Sequence, residues 1–165
     1  MSAETTVDVH SLLKDSIESV RIRKTSLNID YQTRFTAKYS TVLLDNDGLR
    51  QVFLNCIFNG IDAIEEHSAI SEGKIILETV NTVDDTISIS ISDNGIGLAK
   101  EHFDSIFDPF FTTKEVGKGT GLGLAVTHNM IKSAGGTLQF DAKEGKGATI
   151  CITLPTTMEL DKVHD

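Results

Sequence analysis

Two glycine clusters separated by a long irregular passage dominate the middle of the chain. They are S-D-N-G-I-G-L at 92–98 and G-K-G-T-G-L-G-L at 117–124, with F-D-P-F-F-T-T-K at 107–114 between them. Glycines gather where a backbone turns sharply or approaches a ligand closely. A connection this long inside a compact domain points to a binding site with a lid. The stretch Ser92 to Leu124 therefore reads as a candidate nucleotide pocket, and the rest of the chain has to supply its floor.

Composition limits what can supply it. A chain of 165 residues is read as one domain, long enough to bury a real core. No apolar run approaches the roughly 18 to 20 residues that span a bilayer. The first residues lack a basic region followed by an apolar stretch, so no signal peptide is expected and the reading is cytoplasmic, without direct membrane contact. Cys56 and Cys151 sit in apolar segments without metal-type spacing, which suits buried free thiols in a reducing compartment. A net charge of −9 argues against nucleic acid or an anionic membrane as partner. It also requires that a nucleotide triphosphate be neutralised locally, by a cation, a helix N-terminus or a few lysines.

Apolar residues at Val9, Leu12, Leu13, Ile17 and Val20 predict a helix over Val7 to Arg23, with Asp8 as N-cap. Leu27 to Tyr31 and Tyr39 to Leu44 read as strands. A second helix is expected from Asp47 to His67, with Leu49, Val52, Phe53, Cys56, Ile57, Ile61 and Ile64 as its stripe. Lys74 to Val80 and Thr86 to Ser92 read as paired strands. In the latter, Ile87, Ile89 and Ile91 alternate with serines, giving one buried and one polar face. Gly121 to Ala134 predicts a third helix, ended by Gly135-Gly136. Thr137 to Phe140 and Ala148 to Leu154 are the closing strands. The expected fold is a two-layer α/β sandwich, a mixed and mostly antiparallel sheet with three main helices on one face. One domain spans residues 1–157, followed by a polar tail, 158–165.

Several polar residues do not suit a plain core. Asn55, Asn59 and Asp62 fall on or near one face of the second helix. They either form a solvated face or bond a neighbouring loop, or they present carboxamide oxygens to a hard cation such as Mg²⁺. Asp93 ends a strand before Asn94-Gly95-Ile96-Gly97. A turn accounts for D-N-G. A carboxylate there can also accept from the exocyclic amine of adenine, a charge-assisted bond contributing roughly 1.5–3 kcal/mol. Gly117, Gly119, Gly121 and Gly123 lead into the third helix as an anion site, flanked by Lys114 and Lys118. Phe107, Phe110 and Phe111 form a satellite core of the lid or dock it over nucleotide.

In order and spacing these motifs resemble the catalytic and ATP-binding domain of sensor histidine kinases. That family lies within the Bergerat-fold (GHKL) superfamily of DNA gyrase, heat-shock chaperone and mismatch-repair ATPases. N-C-I-F-N-G-I-D-A resembles its asparagine box, D-N-G-I-G-L its first glycine box, F-D-P-F-F-T-T-K its phenylalanine box and G-K-G-T-G-L-G-L its second glycine box. The phrasing is nearest to kinases of the nitrogen-regulation type. The resemblance implies ATP and Mg²⁺ as cofactors, with Asn59 on the metal, Asn55 assisting, and Asp93 on the adenine amine. Gly95 and Gly97 would shape the base pocket. Lys114 and the Gly119 to Gly123 amides would hold phosphate. By the same resemblance Asp62, Leu98, Phe107, Thr113, Gly117, Lys118, Thr120 and Leu122 line the site.

The superfamily's hydrolases carry a water-activating glutamate four residues before the metal asparagine. Here that position is Asn55, whose amide takes no proton at neutral pH. The resemblance therefore implies phosphoryl transfer to a histidine, on dimerisation helices outside this chain, with a response regulator served indirectly and the domain itself monomeric. No histidine here is followed by the acidic residue and proline of an acceptor motif, and His10 is expected at the surface. Ala148 stands where the family often has threonine. Thr149 beside it is counted with the nucleotide site, although strand alternation turns it the other way.

Overall fold

The computed structural model describes residues 3–23, 28–108 and 123–157. A short strand β1 (Thr5–Asp8) leads into α1 (Val9–Arg23), then β2 (Ile29–Phe35) and β3 (Thr41–Leu44). Helix α2 (Asn46–Glu66) precedes the hairpin of β4 (Gly73–Asn81) and β5 (Thr86–Asp93). After a 3-10 turn (Lys100–Ser105) come α3 (Gly123–Ser133), β6 (Thr137–Lys143) and β7 (Gly147–Pro155). Five strands form one sheet in the order β2-β4-β5-β7-β6, parallel only between β2 and β4. The remaining two pair separately as an antiparallel β1–β3 ribbon.

Alternation in β5 divides the molecule into layers. Ile87, Ile89 and Ile91 are buried against the helices together with Ile75, Leu77, Ile150, Ile152 and Leu154 of the flanking strands. Ser88, Ser90 and Ser92 take the opposite face, where Ser92 and Thr149 share a hydroxyl hydrogen bond (2.9 Å) and Ser88 meets Cys151 (3.1 Å). The helices cover one face only, with Leu13, Val20, Phe53, Ile57 and Ile61 closing the core.

Local chemistry explains where α2 begins. Asp45, at φ −69° and ψ 117°, is its N-cap, and its side chain accepts from the Gly48 N–H at 3.2 Å. The D-N-D-G run is thus the start of the helix as well as a turn. At the far end of α3, Gly135 adopts φ +79° and the Gly136 N–H donates to the Ile131 carbonyl (2.9 Å), the left-handed cap expected of two glycines.

Three expectations are corrected. The first helix starts at Val9, because Thr5–Asp8 is recruited as a strand by β3. The second strand extends to Phe35, because its polar Q-T-R stretch is paired along its whole length with β4. His10, expected at the surface, is half-buried. Its ring stacks on Phe35 (4.7 Å between centroids, 7° between planes), and Nε2 lies 2.7 Å from the Thr79 hydroxyl. Thr79 is itself 1% exposed. Leu27 and the tail 158–165 lie outside the described residues.

Candidate nucleotide-binding site

The site is built where the end of β5 meets the middle of α2. Gly60 lies mid-helix, where glycine costs about 1 kcal/mol against alanine. A Cβ there would stand 3.3 Å from the Asp93 Cβ and 3.5 Å from its Oδ2. The helix therefore gives up a side chain so that the carboxylate can lie against it, one residue beyond Asn59. Burial pushes the Asp93 carboxyl up to about 6, against backbone N–H groups of Gly95 and Ala148 that pull it down. The Gly95 bond measures 2.8 Å to Oδ1.

The glycines after Asp93 have packing reasons of their own. A Cβ on Gly95 would collide with the Ala63 backbone of α2, and the Ile96 N–H donates to the Ala63 carbonyl at 3.1 Å. Gly97 has φ +68°, and a Cβ there would run into the Lys143 carbonyl oxygen. Both glycines thus allow close approach of protein to protein, and Gly95 and Gly97 remain beside Asp93 at the candidate base pocket. Asn94, read in the sequence as a turn residue, clips the strand end: its Oδ1 accepts from the Lys74 N–H (2.7 Å) and its Nδ2 donates to the Glu72 carbonyl (3.0 Å). Leu98 follows, half-buried.

The two asparagines differ in what they touch. Asn55 is committed to protein: Oδ1 accepts from Gln51 Nε2 (2.7 Å), and Nδ2 donates to the carbonyl of Gly123, the first residue of α3 (3.4 Å). Asn59 is not, since its buried Nδ2 has no hydrogen-bond partner. A buried unpaired amide costs about 1–3 kcal/mol, so Asn59 keeps hydrogen-bonding capacity that α2 does not use. With the half-buried Asp62 three residues on, the donors here are oxygens, which suit a hard cation completed by phosphate and water. The Asn59 side-chain oxygen is of the type a magnesium ion takes, whereas Asn55 supports α3 through its bond to Gly123.

Phe107 stacks on His128 of α3 (4.9 Å between centroids, 20° between planes). Thr149 does not face Asp93. The register pairs Asp93 with Ala148 and Ser92 with Thr149, which turns Thr149 to the open face of the sheet. There it borders a cavity of about 420 Å³ with Phe103, Phe107, Phe140, Asp141 and Cys151. Thr113, Lys114, Gly117, Lys118, Gly119, Thr120, Gly121 and Leu122 lie outside the described residues, as do Phe110 and Phe111. Cys56 is buried, and burial pushes its thiol up to about 12; Cys151 is half-exposed.

Sequence reasoning missed Gly60, Ala63, His67, Gly145 and Gly147, which shape this corner from chain segments far apart. A mid-helix glycine and the G-K-G of the closing turn were the available signals.

A mixed sheet covered by helices on one face in this way is the architecture of solved histidine-kinase catalytic domains. The mycobacterial sensor histidine kinase MprB is 25% identical with a TM-score of 0.79, over 93% of this chain and 98% of that one. ShkA, solved full-length in complex with AMPPNP, is 26% identical with a TM-score of 0.80, over 94% of this chain and 32% of that one. The chain belongs to the histidine kinase-, DNA gyrase B-, and HSP90-like ATPase family, which matches residues 44–158. The sensor histidine kinase ZraS of Escherichia coli K12 is 40% identical over 154 residues, 92% of this chain and 31% of that protein. The histidine-protein kinase AtoS of the same strain is 34% identical over 90% of this chain and 23% of that protein. The chain thus spans about a third or less of the length of these curated relatives. Among the described residues, no helix is long and apolar enough to cross a membrane.

Proposed function

We propose that this chain binds ATP with Mg²⁺ as the catalytic domain of a two-component sensor histidine kinase. It passes the γ-phosphoryl group to a histidine on a separate dimerisation segment, from which a response regulator is served. The observation that carries the reading is the packing of the Asp93 carboxylate against Gly60, directly beside Asn59. A group suited to adenine and a group suited to the metal thus share one corner. The relatives' printed names and the AMPPNP bound to ShkA support it.

In this reading Asp93 accepts from the adenine amine, which guanine lacks at that edge. Asn59 holds the metal through its side-chain oxygen, and bound Mg²⁺ supplies neutralisation of phosphate charge. Lys114, Lys118 and the Gly117 to Gly123 segment would receive the phosphates. Asn55 offers no proton-accepting carboxylate, so water is not activated. The neutral imidazole of the acceptor histidine forms the new P–N bond as the bond from the γ-phosphorus to the bridging oxygen breaks, releasing ADP. The domain's task is positioning and charge neutralisation. In this reading the domain works in the cytoplasm, where ATP is available.

Calorimetric titration with Mg·ATP, and incubation with labelled ATP with and without an added acceptor-helix fragment, test this. Asp93→Asn is expected to weaken ATP at least about tenfold, and Asn59→Ala to weaken chiefly the Mg²⁺-dependent part. Label should reach the fragment and not the chain itself. Equal affinity in both variants, strong self-labelling, or fast steady-state phosphate release would each overturn the reading.

A further inference from the structure

One closed circuit of contacts ties together the parts of the base-reading corner, and it passes through a histidine that the phosphoryl chemistry does not use. His67 caps α2, and its Nε2 lies 3.1 Å from the Gly145 carbonyl oxygen in the turn between β6 and β7. The Gly145 N–H donates to the Ile96 carbonyl at 2.6 Å, and the Ile96 N–H donates back to Ala63 of α2 at 3.1 Å. The same turn reaches Asp93 from the other side. Gly147, at φ +110°, lies so close to the Asp93 carbonyl that a Cβ would collide with it. The next residue, Ala148, donates its N–H to the Asp93 carboxylate. Gly97 presses on the turn's first carbonyl, that of Lys143.

Ala148, which follows directly on the turn that His67 touches, is therefore one of the two backbone supports of the carboxylate. The other is the Gly95 N–H. We propose that His67 is a positioning residue for base selection. By donating from Nε2 to the Gly145 carbonyl, it holds the Lys143–Gly147 turn against Asp93–Gly97 and sets the direction of the Asp93 carboxylate relative to α2. This rests on the reading of Asp93 as the adenine-selecting group. A hydrogen bond to the exocyclic amine weakens steeply as its angle closes. A carboxylate freed to rotate therefore discriminates less between adenine and guanine, while phosphate and metal contacts are unaffected.

The test is calorimetric titration of the 165-residue chain with Mg·ATP and Mg·GTP, with melting curves alongside. His67→Ala is expected to reduce the ATP-over-GTP preference about three- to tenfold, the range of one exposed hydrogen bond. The melting temperature should stay within roughly 2 °C. His67→Gln, whose amide can donate to the same carbonyl, should restore the preference. Asp93→Asn should abolish it; if that variant keeps the preference, the reading of Asp93 itself falls, whatever His67 does. With Asp93 behaving as expected, an unchanged preference in His67→Ala overturns the proposal. So does failure of His67→Gln to rescue, or an equal loss of both nucleotides with a lowered melting temperature.

Discussion

Asp93 shows at the scale of one residue how a site can be built against stability. Its carboxyl is raised from 3.8 to about 6 by burial. A raised folded-state value stabilises the protein fully below the unfolded value, and that contribution is lost as pH rises through the folded one. At neutral pH the ionised group therefore costs the ligand-free protein about 3 kcal/mol. Asp93→Asn is expected to raise the melting temperature of the ligand-free chain at pH 7.5, with the gain shrinking as pH falls from about 6 to 4. Melting curves across that range check it. ATP affinity of the unaltered chain should fall as pH drops below about 6, when the carboxylate takes a proton. The sequence exposed Asp93 because a carboxylate at a strand end before glycines stands out. It did not expose Gly60, whose meaning lies in the Asp93 atoms 3.3–3.5 Å from where its Cβ would be.

Among the elements, α2, β4, β5 and β7 were legible within a few residues, because each has a strong apolar period of its own. The strand β1 was not, since T-T-V-D has no such period and owes its extension to hydrogen bonds with β3. The seat of α1 on the sheet was equally hidden. His10, read as a surface residue, lies between Phe35 of β2 and Thr79 of β4. Its ring is held below the ordinary histidine range by burial. The Asp8 carboxylate pulls it up and Lys14 pushes it further down. A depressed folded-state value means that this contribution is complete above the unfolded value near 6.5 and is lost as pH falls through the folded one. His10→Phe should therefore flatten the stability profile on the acid side of pH 6.5. Denaturant titrations at pH 7.5 and 5.5 would show a smaller difference than in the unaltered chain.

The whole molecule depends on β5, the central strand, paired on both sides and buried on one face. Ile89 is fully buried there. Ile89→Ala is expected to lower unfolding free energy by about 2–5 kcal/mol, read as a shifted urea midpoint with unchanged slope. One-sided burial was readable from the isoleucine–serine alternation. Strand order was not, because pairing of β5 with β7 across more than fifty intervening residues leaves no local trace in either segment.

That pairing has a consequence for how such a chain can vary. Asp93 and Ala148 are partners in the ladder, so everything from Asn94 to Gly147 departs from and returns to a single rung. Lengthening such an excursion carries a closure entropy that grows only logarithmically, about 0.6 kcal/mol per doubling. The connection between the 3-10 turn and α3 can be lengthened or shortened without re-threading the sheet. The carboxylate stands on the anchored rung, outside the part that is free to diverge. The fold thus separates a connection whose length can vary from a carboxylate that cannot drift with it.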